Sequence, residues 1–314
     1  MSKNTGEYMS IIIVGDLHLK QKEPFFQVSK QFLNWLDENY REQEMVFAGD
    51  IFDSSSPMWI VYKEFKEFLM KRKNYTYIVK GNHDTSKNKG CSLSAFNLID
   101  NVIVYEDYQE VKIQNHKFLI LPFIYDYKSF QGLSGEYDFI FTHLMPKEFQ
   151  FGDEGVEFSK LKGKFIHGHH HIRADFQDRF NNEHIIVGVP YETRNGEAQP
   201  HRIIEIKNDK SICEIDVPLF FTHETISYGQ EPSNKMNIIN VIDAPSKQLV
   251  YEKYKEYYIR DTGIKLLRTE NTKESFKQEF ESANILEKFK KYSQENNLSK
   301  EVSEECSSRL SRII

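Results

Sequence analysis

The chain has 314 residues, of which 39% are hydrophobic and 28% charged, and its formal net charge is −6. This balance is typical of a globular protein, and no apolar run approaches the ~20 residues that a membrane-spanning helix needs. The acidic charge gives no support for nucleic-acid binding but does not exclude it, because a metal-loaded cleft supplies its own positive charge. The three cysteines are widely spaced and the N-terminus is short and polar, which leads us to expect a reduced, cytoplasmic protein.

The first third of the chain predicts alternating strands and helices. Apolar runs at 11–14, 45–48 and 75–79 predict strands, and apolar residues at helical spacing predict helices over 24–39 and 58–72. After each strand a glycine precedes an oxygen-bearing side chain, namely Asp16, Asp50 or Asn82. The intervals between these three residues are close to the ~30 residues of a strand-helix-strand unit. We therefore expect three neighbouring parallel strands whose carboxyl ends bring the three side chains to one crevice.

From residue 93 onward, strands replace helices. A short helix over 93–99 is followed by predicted strands over 102–105, 111–114, 118–123, 137–141, 164–166, 185–189, 202–206 and 211–217. Asn115-His116 is predicted as a hairpin turn, with His116 as a turn residue rather than a ligand. The strand over 137–141 leads to His143, and the strand over 164–166 leads to His167-Gly168-His169-His170-His171.

The composition changes near residue 220. We predict a domain over residues 1–220, a small α/β domain over 221–270 and a helical tail over 271–314. The small domain has predicted strands over 237–242 and 264–268 with a helix over 246–259 between them. The tail carries two short amphipathic helices, which either pack on their own domain or bind a partner.

The side chains that follow the strands are oxygen and imidazole donors without thiolates, a set that suits Mn²⁺, Fe or Zn²⁺. A shared carboxylate such as Asp50 could bridge two ions. His83 follows Asn82 and is predicted to be backed by Asp84, which suits a protonated imidazole that assists the leaving oxygen. Alone, Asp16-x-His18 is more often a surface loop and Gly49-Asp50-x-x-Asp53 is also a weak signal. Gly81-Asn82-His83-Asp84 and Gly168-His169-x-His171 are moderately specific, and all four in this order favour a two-metal site. His167 and His170 are predicted to be neighbours of ligands, and His184, His201 and His223 are unassigned.

Together these motifs resemble the signature of the calcineurin-like metallophosphoesterase superfamily. The resemblance implies an α/β fold, a four-layer αββα sandwich, with two divalent metal ions that we expect to be Mn²⁺. It implies that one ion is held by Asp16, His18, Asp50 and His171, and the other by Asp50, Asn82, His143 and His169. From the residues themselves, we predict that His83 and Asp84 are the catalytic residues.

A narrower resemblance is to the SbcD-type DNA repair and recombination nuclease subunits, including those of phages. It rests on the segment Gly49–Pro57 (GDIFDSSSP), the segment Val187–Tyr191 (VGVPY) and the C-terminal layout. It implies that residues 221–270 cap DNA, that the tail docks on an SbcC-type SMC-like ATPase, and that the protein is a homodimer. Some members have His where this chain has Asp53, so the role of Asp53 is open.

Three functions compete. The first is a Mn²⁺-dependent exonuclease or endonuclease that cuts DNA at double-stranded ends or in single strands, together with the ATPase. The second is a stand-alone phosphatase or small-molecule phosphodiesterase, which would have no reason to keep the small domain and the tail. Protein phosphatases of the superfamily have Arg where this chain has Lys80, and this difference counts mildly against a protein phosphatase. The third is a non-catalytic scaffold, against which the complete ligand set and His83 argue.

Overall fold

Six strands form the first sheet: β1 (Ser10–Val14), β2 (Glu44–Phe47), β3 (Thr76–Val79), β6 (Val102–Tyr105), β13 (Arg202–Lys207) and β14 (Ile212–Asp216). Their order is β14-β13-β1-β2-β3-β6. Four strands, β1, β2, β3 and β6, are parallel to one another. The sheet is completed by β13, which pairs antiparallel with β1, and by β14, which pairs antiparallel with β13. The helices α1 (Phe25–Tyr40) and α2 (Trp59–Lys71) connect the first three strands, as the sequence predicts.

A second six-stranded sheet contains β7 (Gln109–Ile113), β8 (His116–Leu121), β9 (Gly135–Thr142), β10 (Leu161–His167), β11 (Ala174–Gln177) and β12 (Glu183–Ile186). Its order is β11-β12-β10-β9-β8-β7, with parallel strands in the middle and an antiparallel strand at each edge. Its outer face packs on loop residues that include Phe130 and Phe158. The parallel strands are buried, apolar runs because both of their faces are covered.

The two sheets pack face to face, and the alternation of side chains along β1 shows how. Ile11 lies in a buried cluster with Phe139 of the second sheet. Its neighbour Ile12 points to the other face and lies in a cluster with Phe32 of α1 and Phe65 of α2. Successive residues of a strand face opposite sides, so one strand serves both layers. The predicted α/β class and the two-sheet sandwich are confirmed.

A third sheet of three parallel strands follows: β15 (His223–Ser227), β16 (Ile238–Ala244) and β17 (Tyr258–Ile264), in that order. The helix α3 (Lys247–Lys253) connects β16 to β17, and its Ser246 cap accepts a hydrogen bond from the Leu249 backbone N–H. Ile239, Val250 and Tyr254 are part of a separate small core beneath this sheet. The remaining elements are a two-stranded sheet of β4 (Thr85–Ser86) and β5 (Gly90–Cys91) and a 3₁₀ helix (Ser94–Leu98).

This computed structural model describes residues 10–264 apart from 88–89, 127–129, 131, 148–154, 195–196, 198–199, 222 and 236. The predicted tail over 271–314 lies outside the described residues, as does nearly all of the strand predicted over 264–268. No helix in the described part of the chain is long and apolar enough to cross a membrane.

Two predictions of local structure are wrong, and four short strands are missed. The helix predicted over 246–259 ends at Lys253, because the aromatic and β-branched run from Tyr257 forms β17 instead. The turn between β7 and β8 is Gln114-Asn115, with Gln114 at φ 52°, and His116 is the buried first residue of β8. The short strands β4, β5, β11 and β15 are missed because each is too brief or too polar to show an apolar run.

Candidate metal centre

Five loops converge where the parallel strands of the two sheets end. Asp16, Asp50 and Asn82 follow β1, β2 and β3 of the first sheet, as the sequence predicts. His143 follows β9, and the residues from His169 to His171 follow β10 of the second sheet. The carboxyl ends of parallel strands are where open α/β sheets place their sites. All seven side chains predicted to bind metal therefore lie in one cleft between the sheets.

The first set of candidate ligands, called here the His18 group, consists of Asp16, His18 and His171, whose ligand atoms lie within 4.8 Å of one another. The Nε2 atoms of the two histidines are 2.9 Å apart. Both carboxylate oxygens of Asp16 are buried without a hydrogen-bond partner among the described residues. Burial raises the pKa of Asp16 well above its usual range. A divalent cation would satisfy these converging atoms.

The second set, the His143 group, consists of Asp50, His143 and His169, whose ligand atoms also lie within 4.8 Å of one another. Asn82 Oδ1 lies 3.1 Å from His143 Nε2 and 2.8 Å from His169 Nδ1. Asp50 stands between the two groups, because its Oδ1 is 3.3 Å from His143 Nε2 and its Oδ2 is 3.7 Å from His18 Nε2. That is the position of a carboxylate shared by two ions.

The histidine tautomers also fit metal binding. His143 Nδ1 is 2.7 Å from the carbonyl oxygen of Ala48, so it carries the proton and leaves the Nε2 lone pair toward the His143 group. A carbonyl partner of this kind is the usual means of orienting a ligating imidazole. Without metal, burial lowers the pKa of His143, but the carboxylates of Asp50 and Asp16 outweigh it and raise the pKa to about 10. His169 has its pKa lowered to about 4 by burial and by the charge of His143.

Backbone strain and close packing mark the ligand loops. His18, Asp50 and His169 all have positive φ angles, of 45°, 45° and 72°, which non-glycine residues adopt at a cost. A Cβ on Gly49, itself at φ 112°, would lie 2.1 Å from His143 Nδ1. A Cβ on Gly81 would lie 2.1 Å from Asp50 Oδ1. Glycine is therefore required at positions 49 and 81, because a side chain at either position would occupy the space of a neighbouring ligand.

His83 lies at the edge of this cleft. Its backbone N–H donates to Asp50 Oδ1 at 2.8 Å, and its Nδ1 donates to the carbonyl oxygen of Asp53 at 3.0 Å. Its ring meets that of His18 edge to face, with the centroids 4.8 Å apart. Because Nδ1 is engaged, Nε2 is the nitrogen left for a substrate.

Asp84 differs from its predicted place behind His83. Its buried carboxylate accepts backbone N–H bonds from Gly81 at 3.0 Å, Phe52 at 3.1 Å and Ile51 at 3.3 Å. None of its hydrogen bonds in the described part of the chain reaches the His83 imidazole. Burial and the charge of Asp50 raise its pKa to about 7. Asp84 thus ties the second ligand loop to the third and positions ligands, rather than contacting the proposed acid.

Two residues near His171 were missed by sequence reasoning. Glu197 Oε1 hydrogen-bonds His171 Nδ1, and its Oε2 accepts from the backbone N–H of Thr193 at 2.7 Å and of Arg194 at 3.0 Å. Burial raises the pKa of Glu197, but the His171 contact outweighs it and the pKa falls to about 2. Arg194 Nη2 lies 3.1 Å from His171 Nδ1. The segment that contains Arg194 and Glu197 has no fixed spacing from the predicted ligands. Its high content of polar residues was the one sequence feature that could have indicated a role for them.

Other histidines near these ligands lie outside the two groups. His167 is buried and bonds the carbonyl oxygen of Leu144 at 2.9 Å and His184 Nδ1 at 2.8 Å, away from both groups. His170 Nδ1 lies 2.9 Å from the Ile172 carbonyl oxygen and 3.2 Å from the Ile172 backbone nitrogen. His201 Nδ1 bonds the Val189 carbonyl oxygen at 2.9 Å.

The segment Val187–Tyr191 is packed against the first ligand loop. The buried Tyr191 hydroxyl donates to the carbonyl oxygen of Leu17 at 2.6 Å. A Cβ on Gly15 would lie 1.8 Å from the Gly188 carbonyl oxygen, so the two backbones touch. The segment therefore fixes the loop that carries Asp16 and His18.

Comparison with known proteins gives the family. Residues 9–188 match the model of the calcineurin-like phosphoesterases, and no curated protein matches the sequence. Among solved structures, a novel archaeal phosphodiesterase is 19% identical over 66% of this chain and 99% of its own, with a TM-score of 0.39. A dimetal phosphatase from Danio rerio is 13% identical over 67% of this chain and 99% of its own, with a TM-score of 0.41. A 5′-nucleotidase precursor from Thermus thermophilus is 11% identical over 67% of this chain and 54% of its own, with a TM-score of 0.39.

The family model spans more than half of the chain, and it covers the ligand loops from Asp16 to His171. The family uses a dimetal centre, and the two groups of His and Asp side chains are where this chain could hold one. The chain belongs to the calcineurin-like phosphoesterases and is a metal-dependent phosphoesterase.

Proposed function

We propose that this phosphoesterase is a two-metal nuclease that cleaves phosphodiester bonds in DNA with Mn²⁺ as its metal. The observation that carries the proposal is the three-stranded sheet beside the metal centre. Ile238 and Tyr258 of this sheet pack in the same cluster as Phe25 and Phe221, next to the first ligand loop. An added sheet at the mouth suits an extended substrate better than a small phosphate ester, and it supports a DNA-capping role for residues 221–270.

The ligands divide between two ions in this proposal. One ion would be held by Asp16, His18, Asp50 and His171, and the other by Asp50, Asn82, His143 and His169. Two divalent cations so placed would lower the pKa of water and neutralise charge on a phosphodiester.

His83 is the proposed general acid. Water attacks the phosphorus atom and releases one proton to solvent, the bond from phosphorus to the leaving oxygen breaks, and protonated His83 gives its Nε2 proton to that oxygen. The hydrogen bond from His83 Nδ1 to the Asp53 carbonyl oxygen holds the ring in the orientation this step needs. General acid catalysis of this kind contributes about 10²–10⁴-fold in rate.

The test is degradation of linear duplex DNA with added Mn²⁺ by the wild type and by His83→Gln. We expect DNA loss that requires Mn²⁺ and falls at least about 100-fold in the variant. His170→Gln, in which the changed residue lies outside both ligand groups, is the matched control and should keep wild-type activity. Hydrolysis of a small aryl phosphate without DNA cleavage would favour the stand-alone phosphatase. Inactivity on both substrates, with and without an added SMC-like ATPase, would favour the scaffold.

We also propose an SMC-like ATPase partner and a homodimer in a reducing cytoplasm. The partner rests on the resemblance of the tail, which lies outside the described residues. The dimer is supported by exposed apolar side chains at the start of α2 and at the end of the 3₁₀ helix: Trp59 is 69% exposed and Leu98 is 86% exposed. Light scattering should give twice the chain mass for the wild type and the single-chain mass for Trp59→Asp. Cys91 and Cys213 are free thiols, which suits the proposed location.

A further inference from the structure

A cavity of about 590 Å³ lies between the loop that precedes α1 and the three-stranded sheet. Its walls include Lys20, Lys22, Phe25, Arg194, Tyr257 and Tyr258. Cavities that bind small organic ligands usually measure about 300–1,000 Å³, so this one has room for a nucleotide. None of these six residues belongs to the predicted ligand set.

The cavity adjoins the His18 group. Asp53, another wall residue, has its Oδ1 3.5 Å from His18 Nδ1. Arg194 has its Nη2 3.1 Å from one ring nitrogen of His171 and 3.2 Å from the other. A molecule in the cavity would therefore reach the metal centre from the side of Asp53 and Arg194.

Cations outnumber carboxylates in the wall. Lys20, Lys22 and Arg194 are balanced by two acids only, Glu23 and Asp53. Lys20 is already engaged, since its Nζ donates to the Thr193 carbonyl oxygen at 3.1 Å and lies 3.5 Å from Asp53 Oδ1. Lys22 is exposed. The Arg194 side chain is 66% exposed, and its Nε forms a 3.0 Å ion pair with Glu197 Oε1. Both cations are accessible to a phosphate in the cavity.

An aromatic ring also lines the cavity. Tyr258, the first residue of β17, is half-buried and packs in the cluster that contains Phe25, whereas the preceding Tyr257 packs in the small core beneath the sheet. Tyrosine rings present flat, polarisable faces to which nucleobases stack, and such stacking tolerates any base. Cationic and aromatic side chains together are the combination by which proteins hold nucleic-acid strands.

We propose that this cavity is a nucleotide subsite. It takes the base and sugar of the nucleotide next to the scissile phosphate, with the base against Tyr258 and the phosphates toward Lys22 and Arg194. The inference rests on the proposed phosphodiesterase function and adds how the substrate is held. It predicts that a nucleoside phosphodiester is preferred over an equally reactive diester without a nucleoside.

The experiment compares two phosphodiesters with the same leaving group, the p-nitrophenyl ester of thymidine 5′-monophosphate and bis(p-nitrophenyl) phosphate. Tyr258→Ala should raise KM about tenfold for the thymidine ester, because it removes the ring on which the base stacks. Lys22→Ala should raise it about twofold, because a solvent-exposed charge contributes little. Neither change should alter hydrolysis of bis(p-nitrophenyl) phosphate, and Tyr258→Phe, which keeps the ring, should resemble the wild type.

Matched controls separate the cavity from general effects. Tyr251→Ala removes a 55% exposed tyrosine from α3 of the same small unit, and Lys112→Ala removes an exposed lysine from β7. Both should leave both substrates unaffected. Equal losses on the two substrates in Tyr258→Ala, or no loss in either cavity variant, would overturn the subsite.

Binding without catalysis distinguishes failure of the subsite from failure of the proposed function. Calorimetric titration of thymidine 5′-monophosphate into the full chain in EDTA should give binding that Tyr258→Ala weakens about tenfold. If the wild type cleaves no DNA but this binding persists, the DNA substrate is wrong and the subsite stands. If the wild type cleaves DNA while the nucleotide binds no better than inorganic phosphate, the subsite is wrong and the nuclease stands.

Discussion

Glu197→Gln tests how the His18 group is oriented. In the wild type, the carboxylate is ionised at neutral pH, since its pKa is about 2, and it accepts the proton of His171 Nδ1. This directs the lone pair of His171 Nε2 toward His18 Nε2. In the variant, the amide oxygen takes the place of Oε2 and keeps the bonds from Thr193 and Arg194. The amide NH₂ then faces His171 Nδ1, which must become the acceptor, and the ring proton moves to Nε2.

The magnitude follows from what the substitution changes. Only the contacts of Oε1 are lost: the charge-assisted bond to His171 and the 3.0 Å ion pair with Arg194 Nε. A hydrogen bond to a charged partner contributes about 1.5–3 kcal/mol, and changing the partner of a ligating histidine usually weakens metal affinity about 10–100-fold. These two estimates agree, because tenfold corresponds to about 1.4 kcal/mol. We therefore expect Mn²⁺ to bind 10–100-fold more weakly at the His18 group.

The assay is calorimetric titration of Mn²⁺ into the metal-free wild type and Glu197→Gln, with circular dichroism to establish equal folding. Glu136→Gln, at an exposed glutamate of β9, is the control and should bind like the wild type. Equal affinity in Glu197→Gln and the wild type would refute the assignment of Glu197 as the residue that sets the His171 tautomer.

Three further predictions follow from the same contacts. Mn²⁺ at 100 times its Kd should add about 2.7 kcal/mol to the free energy of unfolding and raise Tm by about 5–10 °C over the EDTA-treated protein. Calorimetric scans that give the same Tm with Mn²⁺ and with EDTA would contradict metal binding by the folded chain. In the metal-free chain, burial lowers the pKa of His143, but the charges of Asp50 and Asp16 outweigh it and raise the pKa to about 10. His143 must lose this proton to bind a metal ion, so the affinity for Mn²⁺ should rise as the pH rises from 6 to 9. Titrations that show no pH dependence of Mn²⁺ affinity would exclude His143 as a ligand. Arg202→Met should lower the free energy of unfolding by about 1–3 kcal/mol, because the buried guanidinium of β13 bonds Asp175 and the Ile186 carbonyl oxygen of the second sheet. The partner carboxylates of Arg202, Asp175 and Glu214, are about half exposed and can be solvated again once the guanidinium is removed. Urea denaturation should measure the loss, with Arg179→Met as the control. A loss of unfolding free energy above about 5 kcal/mol, or a loss no larger than that of Arg179→Met, would contradict this account.

The sequence by itself determined the ligand loops. An apolar run, a glycine and a donor follow one another three times, and parallel strands joined by helices must end at the same edge of a sheet. This reasoning placed Asp16, Asp50 and Asn82 together, and the same logic placed His143 and His169 at the ends of β9 and β10. Local patterns suffice for these positions, because the direction of a strand fixes where its last residue lies.

Only the tertiary structure decided what surrounds the ligands. The carboxylate of Asp84 follows His83 in the chain, yet it turns to the backbone of Ile51 and Phe52, because buried N–H groups there need an acceptor. Glu197 meets His171 through a loop with no periodic pattern. The cavity by the metal centre depends on how β17 packs near Phe25. Such contacts join segments far apart in the chain, so their geometry comes from packing between layers, which residue spacing does not encode.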